Sequence, residues 1–133
     1  MMVRTIDLMQ ISHPGFQMLQ SDNLDVYNEL PTFMEYCIIV CKRFKFYANS
    51  NHEFVTMLSL TDVVAALDKM SDTDEPNDIY PLRHDIKEAV TKFRDLCEDM
   101  ASCIVNESVA SDFYMRLGHK TYEYCLEYAG VEQ

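Results

Sequence analysis

Residues 86–104, Ile86-Lys87-Glu88-Ala89-Val90-Thr91-Lys92-Phe93-Arg94-Asp95-Leu96-Cys97-Glu98-Asp99-Met100-Ala101-Ser102-Cys103-Ile104, decide the fold. Ile86, Val90, Phe93, Cys97, Met100 and Ile104 recur at spacings of 4, 3, 4, 3 and 4, the repeat of one face of an α-helix. Ala89, Leu96 and Cys103 widen the stripe, while Lys87, Glu88, Lys92, Arg94, Asp95, Glu98 and Asp99 fall mainly on the other faces. The pattern predicts a helix of about six turns with one side buried against neighbouring elements.

Upstream of it, residues 71–81 hold two prolines and four acids, a composition that reads as an acidic loop. Before that loop, Ser50 and Glu53 have capping-box spacing and predict a helix starting near residue 51. Ser59, Thr61 and Asp62 leave open whether residues 51–70 form one helix or two. Pro31 suits the first position of an earlier helix, because the N–H it lacks has no intrahelical partner there. Phe33, Cys37, Val40 and Phe44 follow at spacings of 4, 3 and 4, with Met34, Ile38 and Cys41 beside them. A helix apolar over so much of its circumference is expected at the centre of a bundle. Residues 1–22 fit neither period, and Pro14-Gly15 is expected to break whatever forms there, so they read as a short irregular N-terminal arm.

Downstream, Ser108 or Ser111 caps a last helix bearing Phe113, Tyr114, Leu117, Tyr122, Cys125, Leu126 and Ala129. Gly130 stands where a left-handed C-terminal cap is expected, and Gly118 marks a close helix crossing or a kink. The expectation is an all-α fold: a compact bundle of four to five helices in one domain, residues 1–133.

Composition agrees. The chain has 133 residues, 48% apolar and 25% charged, with only 3 Gly and 4 Pro, which fits one helical domain and disfavours many-turned β architectures. Five cysteines cannot all pair within one chain. The start, MMVRTIDLMQ, places Asp7 where a secretory signal needs an apolar core, and no run approaches the roughly 18 apolar residues of a bilayer span. These features predict a cytoplasmic protein with free thiols in a reducing compartment, without a membrane role. The formal charge of −11 opposes phosphate backbones and disfavours nucleic acid as a partner.

Several chemistries lack their motifs. Gly15, Gly118 and Gly130 are isolated, so no phosphate-cradling loop is present, and there is neither a Gly-x-Ser-x-Gly elbow nor a His-Glu-x-x-His zinc signature. The order His52, His84-Asp85, Asp112 is similar to that of the HD-type metal phosphohydrolases, which are also all-helical. The resemblance implies imidazoles and carboxylates holding divalent metals that activate water. It covers only these residues, and it departs from the family where Pro81-Leu82-Arg83 sets the His-Asp pair in a first helical turn rather than inside a buried helix. Asp85 there reads simply as a helix N-terminal acid and His84 as solvated. The five cysteines, including the Cys37/Cys41 pair one turn apart, read as small core residues.

Two surfaces suit protein recognition. The terminal helix crowds Tyr122, Tyr124, Glu127 and Tyr128, giving a half-exposed tyrosine-rich acidic face. Lys42, Arg43 and Lys45, interleaved with Phe44 and Phe46, form the one basic cluster. The expected function is therefore non-enzymatic and without a cofactor: an acidic helical protein that binds another protein, one with a basic surface, as adaptors, inhibitors and viral host-modulating factors do. The metal phosphohydrolase and a structural homo-oligomer are the alternatives.

Overall fold

The computed structural model of the chain describes residues 9–42, 50–104 and 108–131, without the side chains of 50–55. Among the described residues five helices follow in order: α1 (Pro14–Gln20), α2 (Val26–Cys41), α3 (Ser50–Ser71), α4 (Pro76–Cys103) and α5 (Ser108–Ala129). No strand occurs among the described residues, and the architecture is the expected all-α bundle. The predicted stripe forms its axis. Ile86, Val90, Phe93, Cys97 and Met100 of α4 are fully buried, and α4 makes its most extensive contact with α5.

Gly118 is what lets those two helices approach. A methyl group added there would lie 2.7 Å from the Cys97 Cβ and 3.2 Å from the Arg94 carbonyl oxygen. The glycine marks a close crossing, one of the two readings its position allowed. At the far end of α5, Gly130 takes the left-handed conformation, φ +73°. Its N–H donates to the Glu127 carbonyl and that of Val131 to Leu126, the paired bonds of a Schellman cap. Arg83 of α4 donates through Nε to the Ala129 carbonyl at 2.9 Å, placing a cation on the negative end of the α5 dipole.

The prolines correct two boundaries. Helix α2 begins at Val26 rather than Pro31, and α4 begins at Pro76, so the loop predicted over 71–81 shrinks to residues 72–75. Pro76 occupies the first helical position, as a proline can. Pro31 and Pro81 each stand five residues after their helix begins, where one hydrogen bond is missing, to the carbonyls of Tyr27 and Asn77. Both carbonyl-bearing residues are exposed, so solvent can take the place of the absent N–H.

The middle of α3 is continuous from Ser50 to Ser71, which settles the open choice in favour of one helix. Thr61 donates its hydroxyl back to the Met57 carbonyl at 2.9 Å instead of interrupting the turn. Ser111 does not cap α5, which already starts at Ser108; its hydroxyl donates across to the Ala101 carbonyl at the end of α4.

Residues 14–20 are helical where a break was expected. Pro14 opens α1, and the His13 imidazole caps it by accepting the Gly15 N–H on Nδ1 at 2.9 Å. Gly15 is needed because α1 rests directly on α2: a Cβ there would lie 2.2 Å from that of Tyr36. The Tyr36 hydroxyl, fully buried, donates to the Met9 carbonyl, so a polar tip inside the core is satisfied.

Candidate functional site

Helix α2 carries more apolar residues than one core face can use, and its second face lines a groove. Phe33, Tyr36, Cys37, Val40 and Cys41 point into the core and are fully buried. Tyr27, Pro31, Glu35, Ile39 and Lys42 instead line an open groove of about 560 Å³, with Leu30, Met34 and Ile38 forming its floor. The opposite wall is the C-terminal half of α3, through Val64, Leu67, Asp68 and Ser71, and Tyr128 of α5 closes one side. Among the described residues the central position expected for α2 is thus corrected: one side packs in the core and the other is open.

At one end Tyr27, 71% exposed, meets Tyr128 with ring centroids 5.9 Å apart. At the other stands Lys42, the residue that ends α2. Glu35 and Asp68, both exposed, are the acids along the edges. Pro31 has no N–H to offer the Tyr27 carbonyl, which leaves a further acceptor beside the groove-lining proline.

The tyrosine-rich face of α5 does not exist as one surface. Tyr124 is buried, 3% exposed, with its ring edge-on to Phe33 at 5.1 Å. Its hydroxyl lies 2.6 Å from the Ser21 carbonyl and 3.0 Å from that of Met18, pinning the end of α1 to α5. The misreading has a simple cause: α1, unseen in the sequence pattern, covers the side of α5 that a four-helix arrangement would leave bare. Tyr122 lies half-buried under the Arg94 guanidinium of α4, 4.3 Å from the ring centre. Glu127 is exposed, and Tyr128 alone of the three tyrosines reaches the groove. Of the basic cluster, Lys42 lines the groove as well, and Arg43 and Lys45 lie outside the described residues. Tyr128 and Lys42, from two surfaces expected to be separate, therefore line one groove at its opposite ends.

Tyr27, Glu35, Ile39 and Asp68 were not foreseen as site residues. Beginning α2 at Pro31 left Tyr27 out of it. The signal available in the sequence is the surplus of apolar residues around Ile38, more than one core face needs.

The residues of the metal reading stand apart from this groove. His84 and Asp85 fall in the third turn of α4, not the first, because the helix starts at Pro76. Both are exposed, and His84 Nε2 lies 3.4 Å from the Glu88 carboxylate one turn on. Asp85 borders a shallow charged hollow of about 350 Å³ with Asp62, Glu88, Lys69 and Lys92. Asp112 is exposed on α5, and the side chain of His52 lies outside the described residues. Among the described residues no three His, Cys, Asp or Glu side chains gather into a metal-holding group.

Four of the cysteines, Cys37, Cys41, Cys97 and Cys125, are buried, as core residues should be, whereas Cys103 is exposed at the end of α4. Burial pushes the Cys37 thiol up to about 12, partly offset by its contact with the Thr121 hydroxyl at 3.4 Å. The same loss of hydration raises Cys41, Cys97 and Cys125, so these thiols are poor nucleophiles. No helix among the described residues is long and apolar enough to cross a membrane.

No protein-family model, curated protein or solved structure matches the chain, so the reading of the site rests on its own residues.

Proposed function

We propose that this is a non-enzymatic protein that acts by binding another protein through the groove between α2 and α3. One observation carries the reading: an apolar groove that runs most of the length of α2, is open among the described residues, and has two tyrosines at its end. Exposed apolar surface of this kind is costly in water and is common where partners dock. Tyrosine adds large contact area with little rotamer entropy to lose. The three charged groups at the edges are spaced along the groove rather than converging on one point, which suits an extended partner better than a compact substrate. A cytoplasmic setting, where five unpaired cysteines persist, fits this reading.

The test is quantitative co-purification from the protein's own cells with wild type, Tyr27→Ala and Ile39→Glu. Ile39 borders the groove and is absent from the core cluster, so both variants should fold like wild type by circular dichroism. A polypeptide recovered in fixed proportion with wild type, and lost with both variants, is the expected result. Recovery of the same polypeptides with all three would remove the groove from the binding surface.

A further inference from the structure

Resting on that reading, we infer that the occupant of the groove is a basic amphipathic helix, about four turns long, presented by the partner. Length is set by α2. Its groove-lining positions run from Tyr27 through Pro31, Glu35 and Ile39 to Lys42, one per turn. At 1.5 Å per residue they span roughly 22 Å, the length of about 15 helical residues.

Shape follows from the walls. Both long sides are helices, α2 and the second half of α3, so their side chains form ridges at helical spacing. A third helix can lay a complementary ridge of side chains between them. An extended peptide gains most of its affinity from main-chain bonds to a sheet edge, and the described residues contain no strand to offer one. The occupant therefore reads as apolar residues at i, i+4, i+7 and i+11, filling the floor over Met34 and Ile38.

Charge fixes the flanks. Glu35, whose carboxylate lies 3.7 Å from His13 Nε2, and Asp68 are the acids lining the groove, the Tyr27 carbonyl lacks its helical donor, and the whole chain carries −11. Acceptors in that arrangement call for Lys or Arg on either side of the apolar stripe. Lys42, the one Lys or Arg among the described lining residues, calls for an acidic side chain or a helix C-terminus at that end.

A display library of helix-forming peptides of about 16 residues, selected against the folded full chain, tests the inference. Enriched peptides should carry the apolar spacing with Lys or Arg beside it and bind Ile39→Glu or Tyr27→Ala at least about tenfold more weakly. They should also slow amide exchange in α2 and in residues 64–71, and bind less tightly as salt rises. Peptides that need Ile39 but lack helical spacing or carry acidic flanks would overturn the helical occupant while leaving the groove as a binding surface. Enrichment indifferent to both substitutions, or no enrichment, would overturn the groove itself. Sedimentation of the free chain closes the remaining case: a dimer dissociated by Ile39→Glu would assign the groove to a second copy and overturn the proposed partner helix.

Discussion

Tyr124 shows how one hydroxyl can decide whether a side chain belongs to a surface or to the fold. Its oxygen sits between the carbonyls of Met18 and Ser21, and the adjacent side chains Lys120 and Arg116 reach Asp22 and Gln20 on the same segment. Tyr124→Phe keeps the ring against Phe33 and leaves both carbonyls without that donor. The expected loss is about 1–2 kcal/mol of stability, read from urea unfolding, with amide exchange quickened first in α1. A loss indistinguishable from zero would mean that water serves those carbonyls equally well. The buried thiols give a second residue-scale prediction, with a definite sign. Cys37 ionises near 12 in the fold against an ordinary value of 9.0. Between those values the unfolded chain has released a proton that the native chain retains, so stability falls as pH rises. The slope is about 1.4 kcal/mol per pH unit for this thiol alone, and Cys41, Cys97 and Cys125 act in the same direction. Urea midpoints should therefore drop between about pH 9 and pH 10.5, and a midpoint constant across that interval would contradict the burial of these groups.

At the scale of helices, glycine and proline work against their average tendencies. In an exposed helix, replacing Gly by Ala gains about 1 kcal/mol. Gly118→Ala should instead lose about 1–3 kcal/mol, because the new methyl meets the Cys97 Cβ and the α4 backbone. A variant more stable than wild type would show that α4 and α5 can separate at little cost. Pro81→Ala should shift the other way. It restores an N–H for the Asn77 carbonyl on an exposed face, and the expected gain of about 1 kcal/mol is the hydrogen bond less the added freedom of the unfolded chain. Thermal unfolding reads both, and a lower midpoint for the proline variant would argue against a continuous helix from Pro76. The same two residue types mark where the sequence was and was not legible. Residues 86–104 announced their helix because a stripe from Ile86 to Met100 is buried without interruption. Gly130 also declared its role as a cap through position alone, whereas position left Gly118 as a crossing or a kink and only the packed Cys97 decides for the crossing. Helix starts were misjudged wherever a proline lay inside the second turn, since sequence does not show whether the carbonyl it orphans faces solvent. Helix α1 went unseen because seven residues are too few to display a period, and its stability comes from Gly15 on Tyr36, a tertiary contact.

Over the whole molecule, the groove could not be read from periodicity. Apolar residues facing a groove and apolar residues facing a core look alike along a helix; only the placement of α3 and Tyr128 separates Ile39 from Cys37. The charge of −11 was legible, and with Glu35 and Asp68 at the groove edge it bears on the proposed occupant: a field that repels phosphate backbones would attract the basic helix proposed above. The central claim is that this trough is where the protein works. A photo-reactive amino acid placed at position 39, compared with one at exposed Lys87 on α4, tests it in the protein's own cells. Position 39 should yield a single protein adduct whose cross-linked segment is a helix with basic residues beside an apolar stripe, and position 87 should not. Equal adducts at both positions, or a partner captured only through position 87, would contradict the account.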